Sequence, residues 1–261
     1  MDMVQSSLAD KVVLVTSTMY DLNKASDRTR SVIALESIAE AYRRGYEMII
    51  YDSDSPRHLL QMFSEAGARV IASTSKTMGG KRREAIADAL KTEKPVIAYF
   101  EPEKTSYVPE IEKTAIPILA GEADATIARR RSLKSYPLFQ QQAELLGNMF
   151  WERITGHELD MWFGPRTFSR EAAHYFLDYQ GAYGDRWEAL AIPILDMIAG
   201  GKRIQSVLVE YSNPSQQTQI EEHDISFDMK RIEQLQSITK AIKEHWDKIR
   251  KDRRLPFYVL D

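Results

Sequence analysis

The sequence contains no cysteine. A disulfide-stabilised scaffold, a zinc site with thiolate ligands and a cysteine nucleophile are therefore excluded. No apolar run approaches the roughly 20 residues that a membrane-crossing helix needs, and residues 1–10 are polar where a secretory signal would be apolar. These absences predict a soluble, cytoplasmic protein without a membrane span.

An excess of charge of one sign is also lacking. The chain has 35 Lys and Arg against 38 Asp and Glu, which gives a formal net charge of −3. No nucleic acid partner is expected, because no global basic field exists to hold its backbone. The 261 residues, 43% of them hydrophobic, suffice for one large α/β domain or two small ones.

The first half of the chain alternates short apolar runs with helical patterns. Strands are predicted over residues 11–17, 47–52, 69–73 and 95–100, with helices between them. The runs are apolar throughout, which is typical of strands that helices cover on both faces. The predicted fold class is α/β, with a Rossmann-like, mainly parallel sheet, helices on both of its faces and a C-terminal helix.

The second half is less regular. It has strand patterns over 123–129 and 204–211, helical patterns over 139–154, 169–177 and 186–199, and a polar linker over 213–217. Residues 228–253 form a helical pattern with one apolar stripe, which comprises Met229, Ile232, Leu235, Ile238, Ile242, Trp246 and Ile249. We expect this stripe to pack on the body of the chain, with a homodimer seam as the alternative.

Polar residues follow each strand of the first half, at the edge where open α/β sheets bind ligands. Thr16, Ser17 and Asp21 follow the first strand without a glycine trio, which argues against a dinucleotide fingerprint. Asp52 and Asp54 follow the second strand, Gly79-Gly80-Lys81 the third, and Glu101 and Glu103 the fourth. Such a mixture suits a nucleoside diphosphate: carboxylates accept hydrogen bonds from a base or ribose, and Lys81 is expected to open a helix whose N-terminus attracts phosphate.

Four segments, in this order, resemble glycosyltransferases with the A-type nucleotide-sugar fold. They are VVLVTSTMYD, IIYDSDS, GGKRREAIADAL and AYFEPEKTSYVPEI. Two later segments, MWFGPRTFSREAAHYFL and GDRWEALAIPIL, resemble the acceptor segment of the family and the acidic helix start beside the acceptor. The GGK and GPRTFSRE segments are most similar to the retaining sugar–phosphoglycerate synthases.

The resemblance implies transfer of a sugar from a nucleoside diphosphate sugar to a small acceptor. It assigns residues 1–131 to the nucleotide sugar, 132–215 to the acceptor, and 216–261 to a C-terminal helical extension. The implied donor-binding residues are Thr16, Ser17, Asp21, Asp52, Asp54, Gly80 and Lys81, and the implied acceptor-binding residues are Gly164, Pro165 and Arg166. Asp185 or Glu188 would be the general base of an inverting reaction; a retaining reaction needs no such base.

The resemblance also implies a divalent cation, Mg²⁺ or Mn²⁺, bound by Glu101 and Glu103. On an extended chain these two side chains point the same way, and Glu103 is expected to be the principal ligand. The family has Asp-x-Asp at this point, however, and this chain has Glu-Pro-Glu. A metal-free site therefore stays open, with phosphate charge met by Lys81, Lys104 or Arg130.

Several alternatives remain open at this stage. Asp52 and Asp54 are also typical turn and helix-cap residues before Pro56, Asp185 and Glu188 are typical helix caps, and Arg129-Arg130-Arg131 suits either a solvated turn or a phosphate contact. Two other functions compete with glycosyl transfer. A sugar-phosphate nucleotidyltransferase normally has a glycine-rich basic segment after its first strand, where this chain has Thr16-Ser17-Thr18. The altered acidic motif favours a non-catalytic relative that binds a nucleotide or a partner.

Overall fold

The computed structural model describes residues 7–253. Seven strands form one sheet in the order β3-β2-β1-β4-β6-β5-β7. The strands are β1 (Val12–Thr18), β2 (Glu47–Asp52), β3 (Ala68–Ala72), β4 (Val96–Tyr99), β5 (Ala125–Arg130), β6 (Arg166–Ser169) and β7 (Ile204–Val209). All neighbouring pairs are parallel except those of β6, which runs antiparallel to β4 and β5. The predicted Rossmann-like, mainly parallel α/β sheet is confirmed.

Nine α-helices accompany the sheet within the described residues. They are α1 (Ala25–Arg43), α2 (Arg57–Glu65), α3 (Met78–Ala89), α4 (Ile111–Leu119), α5 (Leu138–Thr155), α6 (Ala173–Asp178), α7 (Ile192–Ala199), α8 (Ser215–Glu221) and α9 (Ile225–Arg253). Two apolar cores lie on opposite faces of the sheet. Val13 and Val15 of β1 belong to the core beneath α3, α5, α7 and α9, whereas Val12 and Leu14 belong to the core beneath α1, α2 and α4. Alternate residues of a strand point to opposite faces, so the predicted two-sided helical cover is confirmed.

The second half differs from the prediction at three points. Strand β6 occupies residues 166–169, inside a region predicted as a turn and a helix, and α6 begins only at Ala173. The predicted linker at 213–217 contains the start of helix α8. The predicted helix over 186–199 is a 3-10 turn (Trp187–Leu190) followed by α7, with Pro193 in the first helical turn, where the absence of a proline N–H costs no intrahelical hydrogen bond.

The sheet draws strands from both of the first two predicted segments, since β6 and β7 follow residue 131. The division at 131 therefore assigns ligand roles within one sheet and remains a proposal. The last eight residues of the predicted segment 216–261 lie outside the described residues, as do the first six residues of the predicted segment 1–131.

The C-terminal helix α9 buries only part of its predicted stripe. Ile242, Trp246 and Ile249 are buried in the core shared with α5 and α7, but Met229 is 58% exposed and Ile232 is 36% exposed. Packing of the stripe on the body of the chain is therefore found only for its later residues, and burial of the earlier ones across a homodimer seam stays a prediction. Between residues 7 and 253, no helix combines the length and apolar character needed to cross a bilayer.

Candidate functional site

The loops that follow β1 and β2 are joined through Asp52. Its buried carboxylate accepts hydrogen bonds from the hydroxyl of Thr18 (2.6 Å) and from the amide and hydroxyl of Ser55 (3.0 and 2.7 Å). The Ser55 hydroxyl in turn accepts a hydrogen bond from the Tyr20 amide at 2.8 Å. Asp52 thus acts as a turn residue that joins the two loops at the edge where a donor is expected. Both of its carboxylate oxygens accept hydrogen bonds from the protein itself.

The other residues predicted to follow β1 and β2 lie at the same edge. Thr16 is fully buried, and Ser17 shares a hydrogen bond with Tyr99. Asp21 and Asp54 are exposed, and Asp54 has a left-handed φ of 71°. The amide of Asn23 donates a hydrogen bond to the Asp21 carboxylate and lowers its pKa. Asp21 and Asp54 are therefore the two predicted acidic donor residues that this edge presents to solvent.

Helix α3 does not begin at Lys81, as predicted, but at Met78. Thr77 is its N-cap, and the Thr77 hydroxyl accepts a hydrogen bond from the Gly80 amide at 3.1 Å, which is the usual role of an N-cap threonine. The first turn therefore contains Gly79 and Gly80. Lys81 follows them, and its ammonium contacts the hydroxyl of Ser53 in the loop after β2.

Asp185 occupies the N-terminus of α3. Its carboxylate pairs with both terminal nitrogens of Arg83 (2.6 and 2.8 Å) and contacts the Thr77 hydroxyl, and its carbonyl accepts the Gly79 amide at 2.8 Å. A Cβ on Gly79 would lie 2.0 Å from a carboxylate oxygen of Asp185. Glycine is needed there to admit Asp185, so the expectation that this helix terminus receives phosphate is not supported.

The environment of Asp185 also bears on its expected catalytic role. Burial favours the neutral acid, but hydrogen bonds from Arg83 and Thr77 outweigh burial and lower the pKa of Asp185 below its ordinary value. Both carboxylate oxygens are held by these partners. These contacts place Asp185 at the start of α3, and not as the expected cap of the helix that follows it, so Asp185 holds the loop before α7 against α3.

Glu188, the second candidate base, is also engaged. Its buried carboxylate accepts hydrogen bonds from the hydroxyl of Tyr179 at 2.8 Å and from the amide of Arg186 at 3.0 Å. Burial and the hydrogen bond to Glu188 raise the pKa of Tyr179, so this phenol stays a donor. Neither predicted base has an unengaged carboxylate, and both hold the segment that precedes α7.

The Glu101–Lys104 segment after β4 is a β-turn. The amide of Lys104 donates to the carbonyl of Glu101 at 3.0 Å, and Pro102 takes the second position of the turn, where proline is common. Glu103 is buried and accepts hydrogen bonds from the Tyr20 hydroxyl (2.9 Å) and from Arg30 (2.7 Å). The prediction that the two glutamates point the same way is wrong, because that rule holds for an extended chain and this segment turns.

The two glutamates do not fit the metal centre that the resemblance implies. A divalent cation of this kind takes several oxygen ligands, and Glu103 is neutralised by the Arg30 guanidinium. Glu101 has one oxygen without a hydrogen-bond partner, Oε2. Across residues 7–253, no group of three or more His, Asp or Glu side chains is arranged to hold a metal ion.

Glu101 instead faces fixed cations. The ammonium of Lys104 lies 3.9 Å from Glu101 Oε2 and sits over the rings of Phe163 (4.9 Å) and Tyr211 (5.5 Å). Burial opposes ionisation of Glu101, but the charges of Lys104 and Arg82 outweigh burial and lower its pKa. Glu101 is therefore an ionised carboxylate in a predominantly cationic environment.

The predicted acceptor segment lies against this glutamate. A Cβ on Gly164 would lie 1.9 Å from Glu101 Oε1, so only glycine admits the carboxylate at that point. Arg166 is buried and donates hydrogen bonds to main-chain carbonyls, including those of Met161 (2.8 Å) and Pro165 (2.9 Å). Burial lowers the pKa of Arg166 to about 10. Gly164 brings the acceptor segment to the acidic turn, and Arg166 orders the main chain of that segment.

The interpretation of Arg130 as part of a solvated turn is wrong, and its charge is already paired within the protein. Its side chain is fully buried between Glu144 (2.5 Å) and Asp160 (2.8 Å), and its guanidinium stacks 4.7 Å from the centre of the Phe163 ring. Arg129 on the same strand is exposed. The alternation of β5 could have indicated that Arg130 points inward, but its two carboxylate partners are distant in sequence.

A separate open cleft of about 470 Å³ lies between α1, the segment after β4 and the loop after β7. It is lined by Glu36, Glu40, Arg43, Thr105, Ser106, Pro109, Ser212, Asn213 and Pro214. None of the residues predicted to bind donor or acceptor lines this cleft. The chemistry that the sequence predicts therefore lies outside it.

No protein-family model matches the chain, and no curated protein matches it. Solved structures do. Glucosyl-3-phosphoglycerate synthase from Mycobacterium tuberculosis, in complex with Mn²⁺, UDP-glucose and phosphoglyceric acid, is 15% identical with a TM-score of 0.60, over 92% of this chain and 79% of that one. Mannosyl-3-phosphoglycerate synthase from Rubrobacter xylanophilus is 15% identical with a TM-score of 0.57, over 94% and 76%. CMP:2-keto-3-deoxy-manno-octonic acid synthetase, complexed with CTP, is 10% identical with a TM-score of 0.52, over 87% and 99%.

At these identities the likeness establishes the fold. The chain has the fold of the nucleotide-sugar transferases that synthesise glucosyl- and mannosyl-3-phosphoglycerate. The resemblance drawn from the order of its motifs is confirmed at that level. CMP:2-keto-3-deoxy-manno-octonic acid synthetase shares the fold as well, so the fold alone does not distinguish the reactions.

Proposed function

We propose that this chain transfers a sugar from a nucleoside diphosphate sugar to a small acceptor. One observation carries the proposal: the loops after β1, β2 and β4 meet at the carboxyl edge of the sheet. Tyr20 bonds to Ser55 through its amide and to Glu103 through its hydroxyl, and the acceptor segment reaches the same edge at Gly164, beside Glu101. Open α/β sheets bind ligands at this edge, and here two predicted binding segments adjoin.

In the proposed complex, Ser17, Asp21 and Asp54 contact the base and ribose of the donor. The diphosphate lies near Lys81 and the Glu101–Lys104 turn, and the acceptor lies beside Gly164 and Pro165. Fixed positive charge stabilises the departing diphosphate as negative charge develops on it. The proposed reaction includes no metal step, since Glu103 is paired with Arg30.

The engagement of Asp185 and Glu188 bears on proton transfer. Both carboxylates are held by protein donors, so we propose that the departing diphosphate, and neither side chain, accepts the proton of the acceptor hydroxyl. That route belongs to retaining transferases. Nuclear magnetic resonance of the product distinguishes it, since retention preserves the anomeric configuration of the donor.

The test is a panel of nucleoside diphosphate sugars, with and without Mn²⁺, scored by thermal shift and by release of nucleoside diphosphate. A ligand that binds only the native state raises the melting temperature by mass action. Asp54→Gly removes a carboxylate and keeps a left-handed backbone, so it is expected to weaken donor binding. Glu93→Gly is the matched control, because Glu93 is exposed and also has a positive φ, 61°.

The contrary outcomes differ. Absence of any shift and of any nucleoside diphosphate release contradicts the donor site. Release of pyrophosphate from a nucleoside triphosphate and a sugar phosphate identifies a nucleotidyltransferase instead. Equal weakening by Asp54→Gly and Glu93→Gly contradicts the assignment of Asp54.

A further inference from the structure

The side chains around Glu101 carry more positive than negative charge. Arg82 and Arg166 are buried (6% and 1% exposed) beside the pair formed by Glu101 and Lys104. Both guanidinium groups direct their hydrogen bonds to the Tyr99 hydroxyl or to main-chain carbonyls. In the described part of the chain, one carboxylate thus faces three cations.

The excess persists when Arg130 and its two carboxylate partners are included. Arg130 is held between Glu144 and Asp160, which adds one cation and two carboxylates. The wider cluster then has four cations, Arg82, Lys104, Arg130 and Arg166, and three carboxylates, Glu101, Glu144 and Asp160, for a net charge of +1. Buried charge without a partner is costly, so this cluster is suited to an anion and poorly suited to an added divalent cation.

Lys104 is the cation of this group that a ligand can reach. Its side chain is 16% exposed, and its nearest carboxylate oxygen lies 3.9 Å away, beyond hydrogen-bond distance. That oxygen, Glu101 Oε2, has no hydrogen-bond partner. A ligand with an anionic oxygen, as a nucleotide or sugar phosphate has, can pair with this ammonium, whereas Glu101 Oε2 is itself buried.

We propose that the diphosphate of the donor is bound without a divalent metal, by the Lys104 ammonium, with Arg82 and Arg166 supplying further positive charge behind it. The inference rests on the proposed function and names the group that takes the place of the family's metal. Lys104 is held over Phe163 and Tyr211 and needs no reorganisation to meet the charge. Glu101 then balances part of this positive charge and binds no metal.

The test is calorimetric titration of the full chain with UDP, GDP, CDP, ADP and inorganic pyrophosphate, in excess EDTA and in excess Mn²⁺. At least one of these ligands is expected to bind the unmodified protein with the same affinity, within about twofold, in both solutions. Lys104→Met keeps the apolar stem and removes the charge, and it should weaken binding about 10- to 100-fold in both. Lys113→Met is the matched control, since Lys113 is half exposed and pairs with Glu110; it should not change affinity.

Glu101→Gln distinguishes metal-free binding from binding through a metal, because the two predict opposite changes in nucleotide affinity. Removal of a negative charge beside the diphosphate should leave binding unchanged or tighten it, whereas removal of a metal ligand would weaken Mn²⁺-dependent binding. Binding that requires Mn²⁺, or that Glu101→Gln abolishes, overturns the inference and leaves the proposed function standing. Absence of binding by every ligand in both solutions overturns the proposed function, and this inference with it. Circular dichroism melts of each variant verify that the folded protein is titrated.

Discussion

Replacement of Asp185 by asparagine should destabilise the protein before it affects any chemistry. Asparagine keeps the shape and tolerates the left-handed φ of 57° at this position, but it cannot form the ion pair with Arg83. A hydrogen bond to a charged group contributes about 1.5–3 kcal/mol, and loss of one partner of a buried pair costs about 3–5 kcal/mol. Because the Arg83 side chain is 19% exposed and regains water, we expect a loss of about 2–3 kcal/mol, or about 4–12 °C in melting temperature.

The effect should depend on pH with a defined sign. The pKa of Asp185 is lowered in the folded protein, so its contribution is fully present above the ordinary aspartate pKa of about 3.9 and is lost as the pH falls through the folded-state value. The difference in unfolding free energy between unmodified protein and variant, measured in urea, should be constant near neutral pH and shrink below about pH 4. Asp178→Asn, at an exposed position, is the control. A variant as stable as the unmodified protein that has lost transferase turnover would show Asp185 to be a catalytic base.

Three further outcomes are expected. Ile242→Asp should lower the free energy of unfolding by about 3–5 kcal/mol, because the side chain is fully buried, whereas Met229→Asp on the same helix should be neutral in the same urea melts; equal effects would contradict the half-buried stripe. Arg130→Met should cost about 3–5 kcal/mol, since it leaves two buried carboxylates unpaired, and a change confined to donor affinity would make Arg130 a phosphate contact. Gly164→Ala should lower turnover more than stability, because its Cβ displaces Glu101; unchanged turnover would separate this segment from the site.

The strands of the first half could be predicted because each has a short apolar centre and alternates with a longer helical pattern. Strand β2 was predicted at residues 47–52, as found. Strand β6 could not be predicted, because three of its four residues are polar (Arg166, Thr167 and Ser169) and its partners are β4 and β5. Its strand character comes from tertiary pairing, which local pattern does not report.

The sequence predicts which loops meet at the carboxyl edge of the sheet, but not how their side chains pair there. The sheet topology brings Glu101, Glu103 and Gly164 to one edge. The order of the strands alone predicts that the two glutamates lie near the loop after β1. The turn at Pro102 was readable, since proline favours the second position of such a turn, and it reverses the expected alignment of the two glutamates. The partner Arg30 of Glu103 could not be assigned from sequence, because side-chain pairing across 73 residues depends on the folded packing.

The position of Asp185 could not be predicted from the sequence either. A glycine pair before a basic helix start resembles a phosphate cradle, but Gly79 makes room for a carboxylate of the chain itself. The glycine pair indicates where another group packs closely against the backbone. It does not identify the approaching group, which here comes from residue 185.

Hydrogen exchange with and without bound donor tests whether a nucleoside diphosphate sugar binds at the carboxyl edge of the sheet. The nucleoside diphosphate sugar that gives the largest thermal shift is added at saturation, and amide protection is read by mass spectrometry. We expect new protection in residues 16–21, 53–55, 101–104 and 164–166, the loops that meet at the carboxyl edge of the sheet. Protection confined to residues 105–109 and 212–214, which line the separate cleft, or no protection at all, would contradict it.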